Sequence, residues 1–317
     1  MLNSFIIRTL FQLTMNATAV NPSDCPEVKV PFFVFFIIGV VSLAENLLVV
    51  VAVICNRNLH SPMYCFICSL AAFNTIASLT KTWENLMIVF ADVGQLEKKG
   101  SSETKLDDVM DSLLCMSFVG SIFSFLAIAV DRYITIFHAL RYHNIMTMRR
   151  TGVILGVIWT TCGVSAVLMV RFFESKIIMI CFVVFFVVSL VIICFLYVYM
   201  FMLALIHARK IAALPTYGGR KCRRQRRWGG NMRGALTLTI LFGAFVVCWA
   251  PFFLHLIIIM VCPMNPYCEC YRSLFQLHVV LLMSHALIDP AIYAFRSAEL
   301  RHTFKKILLC SDWMWCL

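Results

Sequence analysis

Seven stretches of this chain are almost uninterrupted in apolar residues: Pro31–Ile54, Pro62–Phe90, Val109–Phe137, Thr151–Val170, Ile177–Ile206, Ala235–Val261 and Leu274–Phe295. An α-helix needs about 20 such residues to cross the hydrocarbon of a bilayer. None of the runs alternates over about 10 residues as barrel strands do. The pattern predicts seven spanning helices, because a helix pairs every backbone group inside its own segment. The gaps are short and polar, and the longest internal one, His207–Arg233, is rich in Gly and Arg. No soluble domain, repeat or low-complexity tract interrupts the order. A shorter amphipathic stretch, Ser297–Leu309, follows run seven. The predicted fold is an all-α membrane protein, a seven-helix bundle with a short amphipathic eighth helix. Its parts are an outer N-terminal segment (1–30), the bundle (31–295) and a helix with tail (296–317).

Composition agrees with that pattern. The chain is 61% hydrophobic and 14% charged, with mean hydropathy +0.87, against about 45–50% and about 25% in ordinary soluble domains. A soluble core could not hide so much apolar surface, and so aromatic a chain would collapse rather than stay disordered. A net charge of +11 raises the question of nucleic acid, and position answers it. With the N-terminus outside, 18 of the 27 Lys and Arg fall on the inner side, eight outside, and Lys81 within run two. The positive-inside rule therefore sets N-terminus out and C-terminus in. The inner bases face cytosol and lipid headgroups, so no nucleic-acid partner is expected. The sequon Asn16-Ala-Thr18 falls outside, as a glycosylation site at Asn16 requires. Phe5–Met15 reads as a weak signal peptide or as residues ahead of a true start at Met15.

Eleven of the 16 acids lie outside or in the outer membrane half. Asp107 and Asp111 are four apart at the outer start of run three and share a helix face. Glu84 lies deep in run two, toward its outer end. Three carboxylates can meet there in a pocket between two helices. Such oxygens suit Ca²⁺, with backbone, water or ligand completing its shell of 6–8, or an Arg side chain. The plain alternatives are a helix N-terminus answering its dipole at Asp107 and Asp108, and a simple Lys81–Glu84 pair. An intramembrane acid such as Glu84 is a functional-site hypothesis in itself.

Other polar signals are weak singly and specific together. Asp131-Arg132-Tyr133 ends run three on the inner side, Cys248-Trp249-Ala250-Pro251 puts a proline in run six, and Asp289-Pro290 breaks run seven ahead of Tyr293. Proline removes a helix hydrogen bond and kinks the helix, and a kinked helix can pivot as a switch. With Asn46 and Trp159 these residues resemble the rhodopsin-like G-protein-coupled receptors. The resemblance extends over nearly the whole chain to the melanocortin receptors. It is carried by Ser61-Pro62-Met63-Tyr64, Asp131–Leu140, Arg141-Tyr142-His143, Trp249–Leu256, Cys262–Cys270 and the near absence of a second outer loop. Lys81-Thr-Trp-Glu84-Asn85 and the loop Gly94–Asp108 look most like the type 2, corticotropin-responding branch.

The resemblance implies a plasma-membrane receptor and not an enzyme. A basic peptide hormone, corticotropin or alternatively melanotropin, would meet Glu84, Asp107 and Asp111 through a shared Ca²⁺. Phe252, Phe253, His255 and Phe275 would form the aromatic wall, and Trp249 the pivot beneath. Arg132 would leave Asp131 as helix six swings, admitting a stimulatory G protein that raises cAMP. A single-span accessory protein would assist surface delivery. The resemblance also pairs Cys262 with Cys268 and Cys25 with Cys270; zinc is the rival reading of these outer cysteines, but no nearby His cluster supports it. Cys310, after the amphipathic stretch, is a candidate for palmitate.

Two departures stand out. Asn74 replaces the Asp that binds Na⁺ in most such receptors, so basal activity should be raised or switching should rest more on Asp289. Arg220–Arg227 is a strongly basic inner loop, read first as a strip on anionic lipid and second as a G-protein contact or trafficking signal. Rival classes fare worse. Run seven has no Lys for an opsin's Schiff base, a transporter would usually show repeats, and H-E-x-x-H is absent. A non-signalling decoy receptor stays open.

Overall fold

The long apolar runs form helices along nearly all of their described length. A computed structural model describes residues 28–92, 101–138, 141–171, 176–212, 240, 243–262 and 266–309. The spanning helices are α1 (Phe32–Cys55), α2 (Pro62–Asp92), α3 (Ser101–Phe137), α4 (Met148–Arg171), α5 (Lys176–Ala212), α6 (Gly243–Val261) and α7 (Phe275–Arg296), with α8 (Ala298–Leu308) after them. Seven are long and apolar enough to cross a membrane. Among the described residues there is no strand. Helix α3 begins eight residues before its apolar run, because the polar stretch Ser101–Asp108 holds helical geometry without needing lipid around it.

Helix α3 is the axis of the bundle. It packs on α2, α4 and α5, while α1 packs on α2 and α7. Two thirds (67%) of the apolar window of α3 is buried, against 11% for α4. The difference separates a central helix from one that gives most of its surface to lipid. Val153, Val157 and Val167 on α4, and Val191 and Phe195 on α5, are exposed accordingly.

Lipid is as apolar as Leu, so helices here associate by close contact and polar bonds rather than by burial from water. Gly120 shows the first. A Cβ at that position would collide with the ring of Phe73 on α2, so glycine is what lets the two helices come this near. Phe73 in turn stacks on Trp159 of α4 at 4.2 Å, and the Trp159 indole donates to Ser69 Oγ at 3.1 Å. Polar bonds supply the second. Ser42 and Ser78 hydroxyls meet at 2.8 Å, and Asn46 Nδ2 donates to the Ala286 carbonyl at 2.8 Å, tying α1 to α2 and α7. Such bonds average about 0.6 kcal/mol in membranes, so they orient the helices more than they stabilise them.

Helix α8 turns off α7 at Ser297, whose hydroxyl caps it by accepting from Leu300 N at 3.1 Å. Tyr64 from the start of α2 meets Ser297 Oγ at 2.9 Å. Asn56 Nδ2 donates to Thr303 Oγ1 at 2.7 Å. These contacts lock the inner ends of α1, α2 and α7 together.

Candidate functional site

The outer mouth is acidic on one side and aromatic on the other. On α2, Lys81 Nζ donates to Glu84 Oε2 at 2.6 Å, one turn apart. Both side chains are largely enclosed. On α3, Asp111 is buried. Asp107 sits one turn before it on the same helix, and its side chain is outside the described residues. Among the described residues no three His, Cys, Asp or Glu are grouped as a metal cage. The two buried carboxylates have the donor chemistry that Ca²⁺ takes, but Lys81 already holds one oxygen of Glu84.

Across the mouth, α6 presents Phe252, Phe253 and His255, all fully enclosed. Phe275 of α7 faces them, 6.3 Å from Phe252 and 5.1 Å from His255 between ring centroids. Phe253 stacks on Phe186 of α5. Tyr271, in the short helix Pro266–Arg272, donates its hydroxyl to the Pro251 carbonyl at 3.0 Å. Burial holds the pKa of that phenol above its ordinary value, so it stays a donor. The sulfurs of Cys262 and Cys268 are bonded, closing the loop between α6 and α7. Cys270 is in a disulfide as well; Cys25 lies outside the described residues.

Below the mouth a cavity of about 30 Å³, room for a few water molecules, is lined by Asn74, Ser78, Lys81, Ser121, Trp249 and His285 among others. It connects the level of Lys81 to the polar centre of the bundle. There Asn74 Nδ2 donates to Asp289 Oδ2 at 3.1 Å, and Ser121 Oγ donates to Asn74 Oδ1 at 3.3 Å. Asp289 is fully buried, and its Oδ1 has no partner. His285, one turn earlier on α7, brings Nε2 to 3.3 Å from Asp289 Oδ2 without hydrogen-bond geometry. Trp249 sits over this group. Its ring meets Phe118 edge-on at 5.3 Å, lies 5.0 Å from Phe245, and stands perpendicular to His285 at 5.6 Å. Pro251 is half a turn above it, where the missing N–H frees α6 to bend. Pro290 lies within α7.

At the inner end Asp131 is fully buried. Its Oδ1 accepts from the Tyr142 hydroxyl at 2.9 Å, and its Oδ2 has no partner. The neighbouring Arg132 is within reach of its charge, and of Tyr142, Tyr64 and Tyr197, but closes no ion pair with it. Burial, and then the charge of Asp131, push the Tyr142 phenol up to about 12, so it donates at any physiological pH. Tyr133 points toward Tyr199 on α5, 6.0 Å between rings. Tyr293 is buried with its hydroxyl unpartnered.

Comparison with known proteins places the sequence in a lineage. The family described as "7 transmembrane receptor (rhodopsin family)" matches residues 45–293. Melanocortin receptor 4 of Danio rerio is 51% identical over 278 residues, 87% of this chain and 83% of that protein. Melanocortin receptor 3 of Mus musculus is 46% identical over 284 residues, 90% and 87% of the two chains. Melanocortin receptor 5 of Rattus norvegicus is 44% identical over 318 residues, 98% and 96%. The chain belongs to the melanocortin receptor family. It is a multi-pass plasma-membrane receptor and not an enzyme.

In this melanocortin receptor the expected site residues fall into three levels of one bundle. Glu84 and Asp111 stand at the mouth with Phe252, Phe253, His255 and Phe275. Asn74, Trp249 and Asp289 stand at the centre, and Asp131, Arg132, Tyr133 and Tyr293 toward the inner face. Asn16, Cys310 and the basic loop Arg220–Arg227 lie outside the described residues. Three participants carried no role in the sequence reading. His285 had a usable signal, four residues before Asp289 and so on its face of α7. Tyr142 had none, since its contact with Asp131 is made by a turn after α3. His278 had none either, since it meets His255 only by packing of α7 on α6.

Proposed function

We propose that this receptor answers a basic melanocortin peptide, of the melanotropin kind, and signals through a stimulatory G protein to raise cAMP. What supports the reading is the outer end of the bundle, which combines enclosed carboxylates on α2 and α3 with an aromatic cluster on α6 and α7. A cationic peptide core flanked by aromatic side chains is its chemical complement. The melanotropin kind is favoured over the corticotropin kind because the relatives above bear the names of types 3, 4 and 5 at 44–51% identity. The corticotropin reading keeps the support of Lys81-Thr-Trp-Glu84-Asn85.

Ca²⁺ is proposed as a partner of Glu84, Asp107 and Asp111. When bound, it would supply positive charge between these carboxylates and take further oxygens from the peptide. The chain's own share is to hold Glu84 ready: Lys81 neutralises it at rest and must give up its oxygen to the ligand. A single-span accessory protein aiding delivery, and anionic lipid under the basic inner loop, complete the proposed partners.

One experiment separates the readings. Cells carrying the receptor are given melanotropin or corticotropin, with and without the accessory protein, and cAMP is measured. A response to melanotropin without the accessory protein is expected. A response to corticotropin alone, needing the accessory protein, would reinstate the other branch, and no response to either would indicate a decoy. Chelating external Ca²⁺ should lower peptide affinity at least tenfold, and unchanged affinity would remove the ion from the account.

A further inference from the structure

Two imidazoles meet at the outer end of the bundle, and their ring contacts leave ring nitrogens on both without a hydrogen-bond partner. His255 of α6 is completely buried and His278 of α7 is 4% exposed. They are 23 residues apart in the chain, on different helices, yet their ring centroids are 5.3 Å apart at an interplanar angle of 65°. Neither ring nitrogen of His255 has a hydrogen-bond partner, nor has Nδ1 of His278. The Tyr271 main chain passes beside the His255 ring but closes no hydrogen bond to it. A buried polar group without a partner costs about 1–3 kcal/mol, so three such nitrogens in one place call for an occupant.

We propose that His255 and His278 form a two-histidine site for a divalent transition-metal ion, Zn²⁺ foremost, bridging α6 to α7. The spacing fits. An imidazole nitrogen binds Zn²⁺ at about 2.0–2.1 Å, which sets each ring centroid about 3.2 Å from the ion; at the tetrahedral angle two centroids are then about 5.2 Å apart. The donor type fits as well, since imidazole suits Zn, Cu and Ni, whereas hard Ca²⁺ prefers carboxylate and carbonyl oxygen. The site is thus chemically separate from the acidic pocket on α2 and α3. Tyr271 is not a third ligand. Its ring lies 4.7 Å from His278, but its protonated hydroxyl is committed to Pro251. Water or an incoming ligand would have to supply the remaining coordination positions. Arg272 is close enough for its charge to act on His255, and it opposes a cation there.

The consequence is a clamp between the helix that carries Trp249 and Pro251 and the helix that carries Asp289. An ion held by one ligand from each restrains the outer end of α6 against α7.

The test uses the full-length receptor purified in detergent, with ZnCl₂ in calorimetry and CoCl₂ as an optical probe of imidazole coordination. One ion per receptor is expected to bind, with excess CaCl₂ failing to displace it. His278→Phe keeps an aromatic ring of similar bulk and removes the donor; it should weaken binding at least tenfold, as should His255→Phe. Arg272→Gln should tighten it. Retained expression and a monodisperse profile show that a variant is folded. In the unmodified receptor Zn²⁺ should raise the melting temperature and EDTA should reverse the rise, a readout that needs no variant. Binding of unchanged affinity in the double Phe variant would overturn the proposal, as would no ion bound and no thermal shift in the unmodified receptor.

Discussion

Asn74 donates to Asp289 where a second carboxylate would leave two buried acids about 3 Å apart. Two acids that close cannot both ionise unless a cation joins them. Asn74→Asp should therefore lower basal cAMP and make it sensitive to Na⁺. A variant with unchanged basal cAMP and no Na⁺ response would show that the amide is not what sets the resting state. Tyr142 argues in the same way at the inner end. Its hydroxyl is the one hydrogen-bond donor to the Asp131 carboxylate among the described residues, and Tyr142→Phe leaves that acid buried and unsatisfied, at a cost of about 1–3 kcal/mol. Asp131 can recover it by drawing Arg132 back. The expected outcome is weaker G-protein coupling, read as reduced maximal cAMP, with peptide affinity at the mouth unchanged. Equal coupling in the Phe variant would mean that Arg132 is held out by other contacts.

At the scale of elements, the meeting of α2 and α3 matters most, because it positions the acidic half of the mouth. One close approach between them is Gly120 against Phe73. Gly120→Leu should force the helices apart, at about 1–3 kcal/mol for overpacking, and lower both the melting temperature and peptide affinity. Gly156 on α4 has nothing within 4 Å of an added Cβ, so Gly156→Ala should leave both unchanged. If the two variants behaved alike, helix spacing would not be what places Asp111 beside α2. The apolar runs made the spanning helices legible in the sequence, since lipid rewards only continuous apolar length. The early start of α3 was not legible, because Ser101–Asp108 is polar and forms its helix beyond the apolar run.

For the molecule as a whole, charge is sided rather than merely positive. Eighteen bases on the inner face meet only Asp131, Glu299 and Asp312, while the outer face carries more acids than bases. An epitope fused at the N-terminus should therefore be stained on intact cells and one at the C-terminus only after permeabilisation; the reverse would invalidate the placement of the acidic mouth. Hydropathy and charge asymmetry determined the span count, the orientation and which residues face the ligand side, because each depends on transfer between water and lipid and is additive along the chain. The individual acids of the site could be named from the chain for a related reason, since an intramembrane polar group is too costly to be incidental; the aromatic wall and the pivot Trp249 were named only by resemblance to the receptor family. What packing alone decided is which of them touch. Tyr142 meeting Asp131, His285 standing under Trp249, and His255 meeting His278 all depend on helix rotation and on approach to within an ångström. Those are set by side chains fitting across helices, and no pattern along a single run records them.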